Sequence, residues 1–320
     1  MRTESVVSNT PPVFRASRTF AVVLNESAGA LVGGPEVAEA IRAASAEHGL
    51  TPKFIPAEAG DLPARVTLAR DSGAAAVVVV GGDGTVACAA QVLAYTGTPL
   101  GILPSGTMNL LARDLAIPIG DLAAGVRVLA EGTPRAIDVG EVNGRVFLCG
   151  SMLGLPTRLA RYREAGRGEP VLRLWVRFLG AALRIFFQYR PLALMLSVDG
   201  RTRHVRTSSL TVTVNALSDS TGRQFGRACL DGGILAVYIF NRLRLVDALR
   251  VGASAMLGRW RKDPVIDVLL GAEISVTGRR PALPVMNDGE VGLLKAPLHY
   301  RIRPRALLVI APAVTASEPW

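Results

Sequence analysis

The sequence predicts two consecutive domains, an α/β domain with a parallel sheet and then a mainly β sandwich. Up to about residue 140, short apolar runs alternate with stretches of helical spacing, which is typical of a parallel sheet covered by helices. Beyond Asp138, short strands predominate, and turn pairs such as Asp199-Gly200 lie beside them. The charge balance also changes, because residues 1–150 hold 11 Arg and Lys against 14 Asp and Glu, whereas residues 151–320 hold 25 against 12.

The first domain contains four predicted strands separated by three predicted helices. The apolar runs that we expect to form strands are 20–24, 51–56, 74–80 and 99–103. The third run is three alanines and four valines, as in a strand covered on both faces. The expected helices are 35–48, 63–72 and 86–95, and Gly49 supplies a stop after the first of them. This alternation favours a parallel sheet with helices on both faces.

The second domain contains shorter strands interrupted by two helical segments. The expected strands are 145–149, 192–198, 209–214, 234–240, 272–277 and 299–302. Helical spacing occurs at 171–188 and at 245–257. We therefore expect a disordered tail at 1–18, an α/β domain at 19–140 and a mainly β domain at 141–312.

Cysteine usage and hydropathy narrow the class of protein. Cys88, Cys149 and Cys229 are well separated and form no disulfide or zinc pattern, which favours a reducing, cytoplasmic compartment. The three histidines are isolated from one another, so we expect no metal cluster among them. Residues 1–18 lack the apolar core of a signal peptide, and every window of about 20 residues contains a charge, so we expect no spanning helix.

A glycine-rich turn, Gly81-Gly82-Asp83-Gly84-Thr85, follows the valine run and precedes a predicted helix. Ligands bind at this position in open α/β sheets. Glycines and the free N–H groups of a helix start both suit a phosphate. Asp83 would repel phosphates unless Mg²⁺ or a hydroxyl lay between them. The alternative interpretation is a tight turn with a capping aspartate.

A second loop, Pro104-Ser105-Gly106-Thr107-Met108-Asn109, follows the next strand and also precedes a helix. Because the carboxyl ends of parallel strands lie at one edge of a sheet, we expect the two loops side by side. Asn109 and Arg113 lie behind this loop, and the two loops together predict a shared polyphosphate site.

These motifs together resemble the diacylglycerol kinase catalytic family, which includes bacterial diacylglycerol kinases and the sphingosine and ceramide kinases. The resemblance is carried by GGDGT at 81–85 and PSGTMNLLAR at 104–113. The loop that starts at Asn25 is similar to the Asn-Pro-x-Ser-Gly of the family, and Asn287-Asp288-Gly289-Glu290 is similar to its Asp-Gly-Glu. The order and spacing of these motifs match over about residues 18–312.

The resemblance implies an α/β nucleotide domain joined to a β sandwich, with an active site in the cleft between them. It implies ATP and Mg²⁺ as cofactors and a lipid alcohol as substrate, with the conversion of diacylglycerol to phosphatidic acid as the default reaction. The implied catalytic residues are Glu290, as general base on the lipid hydroxyl, and Asp83, as metal ligand or base. The alternative for Glu290 is a hairpin turn residue. The implied ATP-binding residues are Asn25, Gly81, Gly82, Asp83, Gly84, Thr85, Val86, Ala87, Gly106, Thr107 and Asn109.

The sequence departs from the family pattern at several positions. Cys88 replaces a frequent glutamate, and Pro56 stands where a threonine often contacts ATP. The Asp-Asp-Gly of the structural Mg²⁺ site reads Asp231-Gly232-Gly233, which leaves Asp231 as the candidate metal ligand from that motif. The implied structural metal site is therefore incomplete.

Residues 171–188 favour contact with a membrane surface. Arg173, Arg177 and Arg184 fall on one narrow helical stripe, and the aromatic side chains lie off it. Such a helix can insert its apolar face while the arginines meet anionic headgroups. We expect peripheral attachment to the inner face of the membrane, and the alternative is a core helix of the second domain. A homodimer is compatible with the sequence, and a nucleic-acid partner is not expected because the motifs specify nucleotide chemistry.

Other functions are open from the sequence. Within the lipid kinases, ceramide and a sphingoid base are rival acceptors. An NAD kinase-type enzyme shares the GGDGT turn, but the loop at 104–109 and the basic helix argue against it. A catalytically weakened lipid- or nucleotide-binding regulator would explain Cys88 and Gly232, whereas the retention of Asp83 and Glu290 argues against it.

Overall fold

The chain divides into two compact units, each defined by the contacts among its own residues. The computed structural model describes residues 18–25, 34–165, 180, 189–218, 226–227, 229–241, 247, 250 and 263–313. The first unit comprises residues 1–137 and 306–320, and the second comprises residues 138–305. The predicted tail and both predicted helices of the second domain, at 171–188 and 245–257, lie almost wholly outside the described residues.

Parallel pairing builds the sheet of the first unit. Its strands are β1 (Thr19–Leu24), β2 (Thr51–Phe54), β3 (Val77–Gly81) and β4 (Leu100–Pro104), in the spatial order β2-β1-β3-β4. The end of the last strand, β16 (Leu298–Ala311), also belongs to this sheet, because Val309 pairs in parallel with Leu100. Every residue of β3 is buried, so the valine run is covered on both faces, as the sequence predicts.

Helices cover this sheet, and carboxylates cap two of them. The α-helices among the described residues of the first unit are α1 (Gly34–Glu47), α2 (Leu62–Asp71), α3 (Asp83–Leu93), α4 (Leu110–Asp114) and α5 (Leu122–Glu131). Asp61 accepts a hydrogen bond from the Ala64 N–H at the start of α2, and Asp121 accepts one from the Ala124 N–H at the start of α5. Helix α3 begins three residues before the predicted start, so the glycine-rich turn forms its first turn.

The second unit is built from antiparallel strands. The strand bounds are β5 (Thr133–Val142), β6 (Arg145–Phe147), β7 (Gly150–Gly154), β8 (Leu192–Val198), β9 (Arg201–Thr207), β10 (Ser209–Val214), β11 (Leu235–Phe240), β12 (Ile266–Gly271), β13 (Glu273–Gly278), β14 (Ala282–Asn287) and β15 (Glu290–Lys295). One sheet has the order β12-β11-β10-β7-β14-β15, and the other has the order β16-β13-β8-β9, with β5 paired to β16 and β6 paired to β5. Helix α6 (Leu155–Ala165) packs against β7, β14 and β15.

Apolar side chains from both sheets of the second unit form a single core cluster. Leu196 and Val276 come from one sheet and Val212 from the other, and all three are fully buried. Phe147 and Tyr300 meet edge to face, with their ring centroids 6.0 Å apart. These packed layers and the parallel sheet of the first unit confirm the predicted fold class, an α/β domain followed by a β sandwich.

The last strand contributes to both units. Its residues from Ala306 onward belong to the first unit, and those before Ala306 belong to the second. The cause is the length of β16, whose 14 residues pair first with β13 and later with β4. The predicted strand at 299–302 is only the start of it.

A buried carboxylate, that of Asp138, connects four segments of the second unit. Asp138 is 1% exposed and lies in β5. Its oxygens accept hydrogen bonds from the Arg305 N–H at 2.9 Å, the Asn215 side-chain amide at 3.0 Å and the Gly233 N–H at 2.7 Å. A buried carboxylate is stable only when such donors surround it. Asp138 therefore holds Arg305 of β16, whose φ is 51°, and the turn before β11.

We expect the substitution Asp138→Ala to lower the free energy of unfolding by at least about 3 kcal/mol, because it leaves one buried and two partly buried donors without their acceptor. Urea denaturation followed by circular dichroism measures this change. Asp231→Ala is the matched control, because Asp231 is exposed and its removal should cost under about 0.5 kcal/mol. Equal unfolding midpoints for the two variants would contradict the role of Asp138.

Candidate functional site

Three loops lie at the carboxyl edge of the parallel sheet in the first unit. Asn25 follows β1, the turn 81–85 follows β3, and the loop 104–109 follows β4. Because β1, β3 and β4 are neighbours in the sheet, the three loops are neighbours as well. The structure thus brings together the site residues that the sequence predicts in the first domain.

The glycine-rich turn forms the start of α3. Gly82 is the N-cap, and the first helical hydrogen bond runs from the Val86 N–H to the Gly82 carbonyl at 3.1 Å. The N–H groups of Asp83, Gly84 and Thr85 precede this bond, so no carbonyl of α3 accepts a hydrogen bond from them. A helix start of this kind attracts anions through its N–H groups and its dipole.

The backbones of the two glycine-containing loops touch each other. A β-carbon at Gly106 would lie 2.5 Å from the Cα of Gly82, and one at Gly82 would lie 3.1 Å from the Cα of Gly106. The Ser105 N–H also donates to the Gly81 carbonyl at 3.0 Å. Close backbone approach therefore requires a glycine at position 106 and leaves little room for a side chain at position 82, which is a reason separate from phosphate binding.

The Asp83 carboxylate joins the same two loops. One of its oxygens accepts a hydrogen bond from the Asn109 N–H at 2.8 Å, and the other accepts one from the Leu110 N–H at 2.6 Å. Leu110 is the first residue of α4, so Asp83 caps that helix from a distant part of the chain. The capping alternative weighed from the sequence is present, although the capped helix is α4 and not α3.

The Asn109 side chain closes the second loop on itself. It is 3% exposed, its oxygen accepts from the Gly106 N–H at 3.0 Å, and its nitrogen donates to the Gly106 carbonyl at 2.6 Å. The backbone of Asn109 has a φ of 48°, which asparagine tolerates better than most residues. Asn109 therefore shapes the loop through its side chain, and Thr107 is exposed beside it.

Asn25 and Thr85 bond to each other. The Asn25 side-chain nitrogen donates to the Thr85 hydroxyl at 2.7 Å, and Thr85 is 2% exposed. This bond connects the end of β1 to the start of α3. Val86 is also buried, whereas Gly84 and Ala87 are partly exposed. The backbone N–H groups of the turn are thus better placed than the Thr85 side chain to meet a ligand.

Glu290, the predicted base, lies in the second unit at the start of β15. It is exposed and pairs with Asn287 across the hairpin turn. Asp288 and Gly289 occupy that turn with φ values of 47° and 93°, which is typical of a tight two-residue hairpin. The glutamate therefore sits on a short, well-defined turn.

Asp288 anchors the hairpin that carries Glu290. Its carboxylate accepts hydrogen bonds from three consecutive N–H groups, those of Leu148 at 2.6 Å, Cys149 at 2.8 Å and Gly150 at 3.0 Å. Burial raises the pKa of Asp288, while these N–H groups and the nearby Arg227 act in the opposite direction. The sequence indicated only the turn and not this anchor.

The residues around Asp231 do not fit the structural cation that the family resemblance implies. Asp231 is exposed, and a β-carbon at Gly232 would lie 2.7 Å from the Cys229 sulfur and 2.9 Å from the Asn215 side-chain oxygen. The Asp138 carboxylate in this region already accepts hydrogen bonds from three N–H donors. Within the described part of the chain, no group of three or more His, Cys, Asp or Glu side chains could hold a metal ion.

We expect Gly106→Ala to lower the free energy of unfolding by about 1–3 kcal/mol, because the new methyl group would force the two loops apart. Ser105→Ala is the matched control in the same loop, since it adds no atom near Gly82. Urea denaturation of the three proteins gives the comparison. An alanine at position 106 with unchanged stability would show that the loops separate without cost.

Comparison with protein-family models identifies both parts of the chain. The model for the diacylglycerol kinase catalytic domain matches residues 19–142. The model for the YegS C-terminal NAD kinase beta sandwich-like domain matches residues 160–311. The two models follow each other in the order of the α/β and β parts of the fold.

Similar proteins carry related descriptions. A diacylglycerol kinase of Mycobacterium tuberculosis is 30% identical over 195 residues, which cover 58% of this chain and 57% of the relative. A probable lipid kinase YegS-like of Cronobacter sakazakii is 30% identical over 207 residues, covering 60% of this chain and 65% of the relative. An uncharacterized protein of Synechocystis is 26% identical and matched over 54% of its length. The chain thus spans little more than half the length of the Synechocystis protein and of the Mycobacterium tuberculosis kinase.

Solved structures support the fold. A candidate diacylglycerol kinase from Bacillus anthracis str. Sterne superposes with a TM-score of 0.70 at 20% identity, covering 93% of this chain and 99% of that one. Since the two family models together match most of the sequence, and since the loops that carry the resemblance lie together at one sheet edge, the chain belongs to the diacylglycerol kinase catalytic-domain family, the lipid kinase family that includes the YegS-like proteins.

Proposed function

We propose that the protein is a lipid kinase that transfers the γ-phosphate of ATP to the free hydroxyl of a membrane lipid. Diacylglycerol is the proposed acceptor and phosphatidic acid the proposed product. The observation that carries this proposal is the start of α3, where the N–H groups of Asp83, Gly84 and Thr85 face the edge at which Asn25 and the loop 104–109 converge. A polyphosphate is the anion that suits such an edge.

The proposed reaction needs positioning more than strong chemistry. The lipid hydroxyl oxygen forms a bond to the γ-phosphorus while the bond between that phosphorus and the bridging oxygen of ADP breaks. The hydroxyl proton passes to a carboxylate, and ADP leaves with the electron pair. Mg²⁺ enters as part of the MgATP substrate and neutralises phosphate charge. The residues of the α3 start hold the phosphates through their N–H groups.

Glu290 is the proposed acceptor of the hydroxyl proton. Its side chain is exposed, so a substrate can reach it without rearrangement of the core. The turn before it is fixed by the three hydrogen bonds to Asp288, which hold the base in one place. A positioned carboxylate of this kind contributes about 10²–10⁴-fold to a proton-transfer step.

The lipid acceptor is supported by the family and by the charge of the second half of the chain. From residue 155 to residue 206 the sequence holds 11 arginines against 3 acidic residues, which suits an anionic surface. Among the described residues, no helix is long and apolar enough to cross a bilayer. We propose peripheral attachment to the inner face of the membrane, with the basic segment 171–188 as the contact.

The reaction is tested with purified protein, labelled ATP, Mg²⁺ and a panel of acceptors. The panel contains diacylglycerol, ceramide, a sphingoid base and NAD, and we expect diacylglycerol to be labelled fastest. NAD belongs in the panel because the β part of the chain matches a family model described as NAD kinase beta sandwich-like. Labelling of NAD alone would overturn the proposal, and labelling of no acceptor would favour a binding regulator.

We expect Glu290→Gln to lower kcat by about 10²–10⁴-fold while MgATP binds as tightly as in the unchanged protein, because the amide cannot accept the proton. Glu273→Gln is the control, since Glu273 is an exposed glutamate of the same unit whose ion pair with Arg301, at 3.2 Å, lies on the surface. Calorimetric binding and initial rates are measured for both variants. Full activity of Glu290→Gln would remove Glu290 from the proposed mechanism.

Vesicle flotation tests the membrane proposal. We expect the protein to float with vesicles that contain anionic lipid and to stay behind with neutral ones, because arginines are attracted to the negative surface. Raising the salt concentration should release it, since screening weakens exposed charge pairs. Equal flotation with neutral and anionic vesicles would show that charge does not hold the protein on the membrane.

A further inference from the structure

We propose that Asp83 is a positioning residue, whose carboxylate fixes the loop 104–109 by accepting hydrogen bonds from the N–H groups of Asn109 and Leu110. This inference rests on the proposed binding of MgATP at the same sheet edge, and it assigns the second loop of that site its support.

The geometry of the carboxylate carries the inference. Its two oxygens accept hydrogen bonds from two consecutive N–H groups, those of Asn109 at 2.8 Å and Leu110 at 2.6 Å. Short bonds from N–H groups to a charged acceptor are among the stronger hydrogen bonds in proteins. Because each oxygen is held by a different residue, the plane of the carboxylate is fixed toward the second loop.

The loop turns at Asn109, whose φ of 48° lies in the left-handed region that residues with a side chain adopt less readily than glycine. Its side chain is already used inside the loop, where it bonds to the N–H and the carbonyl of Gly106. Asp83 holds the backbone of Asn109 from outside, and the Asn109 side chain holds Gly106 from inside. The two residues therefore support the same loop together.

The same bonds decide where phosphate can bind. Asp83 already accepts hydrogen bonds from the N–H groups of Asn109 and Leu110 in the second loop. The N–H groups of Asp83, Gly84 and Thr85 at the start of α3 have no acceptor within that helix. A phosphate therefore meets donors at the start of α3, and Thr107 of the neighbouring loop is exposed.

Three variants test this role. Asp83→Asn keeps the size of the side chain but has one acceptor oxygen, so one N–H of the pair loses its partner. Asn109→Ala removes the internal support of the same loop, and the double variant combines both changes. Asp121→Asn is the matched control, because Asp121 caps α5 through one N–H bond and asparagine caps a helix as well as aspartate does.

Amide hydrogen exchange gives a readout that is independent of nucleotide. We expect the Asn109 and Leu110 amides to exchange at least about tenfold faster in Asp83→Asn, because their acceptor is weakened, and to be unchanged in Asp121→Asn. Unchanged exchange at these two amides in a folded Asp83→Asn protein would overturn the inference. Should Asp83→Asn fail to fold, the exchange of Leu110 in Asn109→Ala tests the support of the same loop.

MgATP binding and steady-state rates then separate positioning from catalysis. We expect each single variant to weaken MgATP binding by about tenfold, mainly through KM, and the double variant to be no weaker than about twentyfold, since the two residues act on one loop. The free Mg²⁺ concentration that gives half-maximal turnover should stay the same. A higher Mg²⁺ requirement in Asp83→Asn alone, or additive losses in the double variant, would overturn the inference. Failure of the unchanged protein to bind MgATP would instead overturn the proposed function.

Discussion

Carboxylates that accept hydrogen bonds from neighbouring backbone N–H groups hold the loops of both units. The Asp83 carboxylate accepts hydrogen bonds from two consecutive N–H groups at the start of α4. The Asp288 carboxylate accepts hydrogen bonds from three consecutive N–H groups that lead into β7. Asp199 accepts two between β12 and β13, and Asp138 accepts two that are far apart in sequence. Buried or half-buried N–H groups outside regular structure need such acceptors. The turns that shape the candidate site are therefore held by acidic side chains, each supplied by a distant segment.

The sequence predicted the elements that depend on local pattern. The valine run of β3, the strands β8 and β10, and the class of both domains follow from periodicity and turn residues, and the structure confirms them. Strands such as β9 and β14 were not predicted, because their polar or proline-containing sequences are stabilised by partners across the sheet. The length of β16 was missed for the same reason.

The candidate site shows the same division. Glycines after a buried strand predicted the place of the phosphate turn, and the structure puts Gly82 and the loop of Gly106 together there. The partner of the Asp83 carboxylate could not be predicted, because an aspartate beside glycines looks alike whether it meets a metal, a proton or a distant N–H group. The anchors of Asp288 and Asp138 depend on pairs at least 77 residues apart and leave no local signal.

The path of β16 has a consequence for the order in which the chain can fold during synthesis. β16 follows every other described strand, and it pairs with β13 in the second unit and with β4 in the first. β4 lacks its parallel partner, and β13 lacks one of its antiparallel partners, until β16 has left the ribosome. The strands β1 to β4 emerge some 200 residues earlier. The nascent α/β part therefore keeps the edge of β4 unpaired while the intervening residues are synthesised, which lengthens its exposure to misassociation.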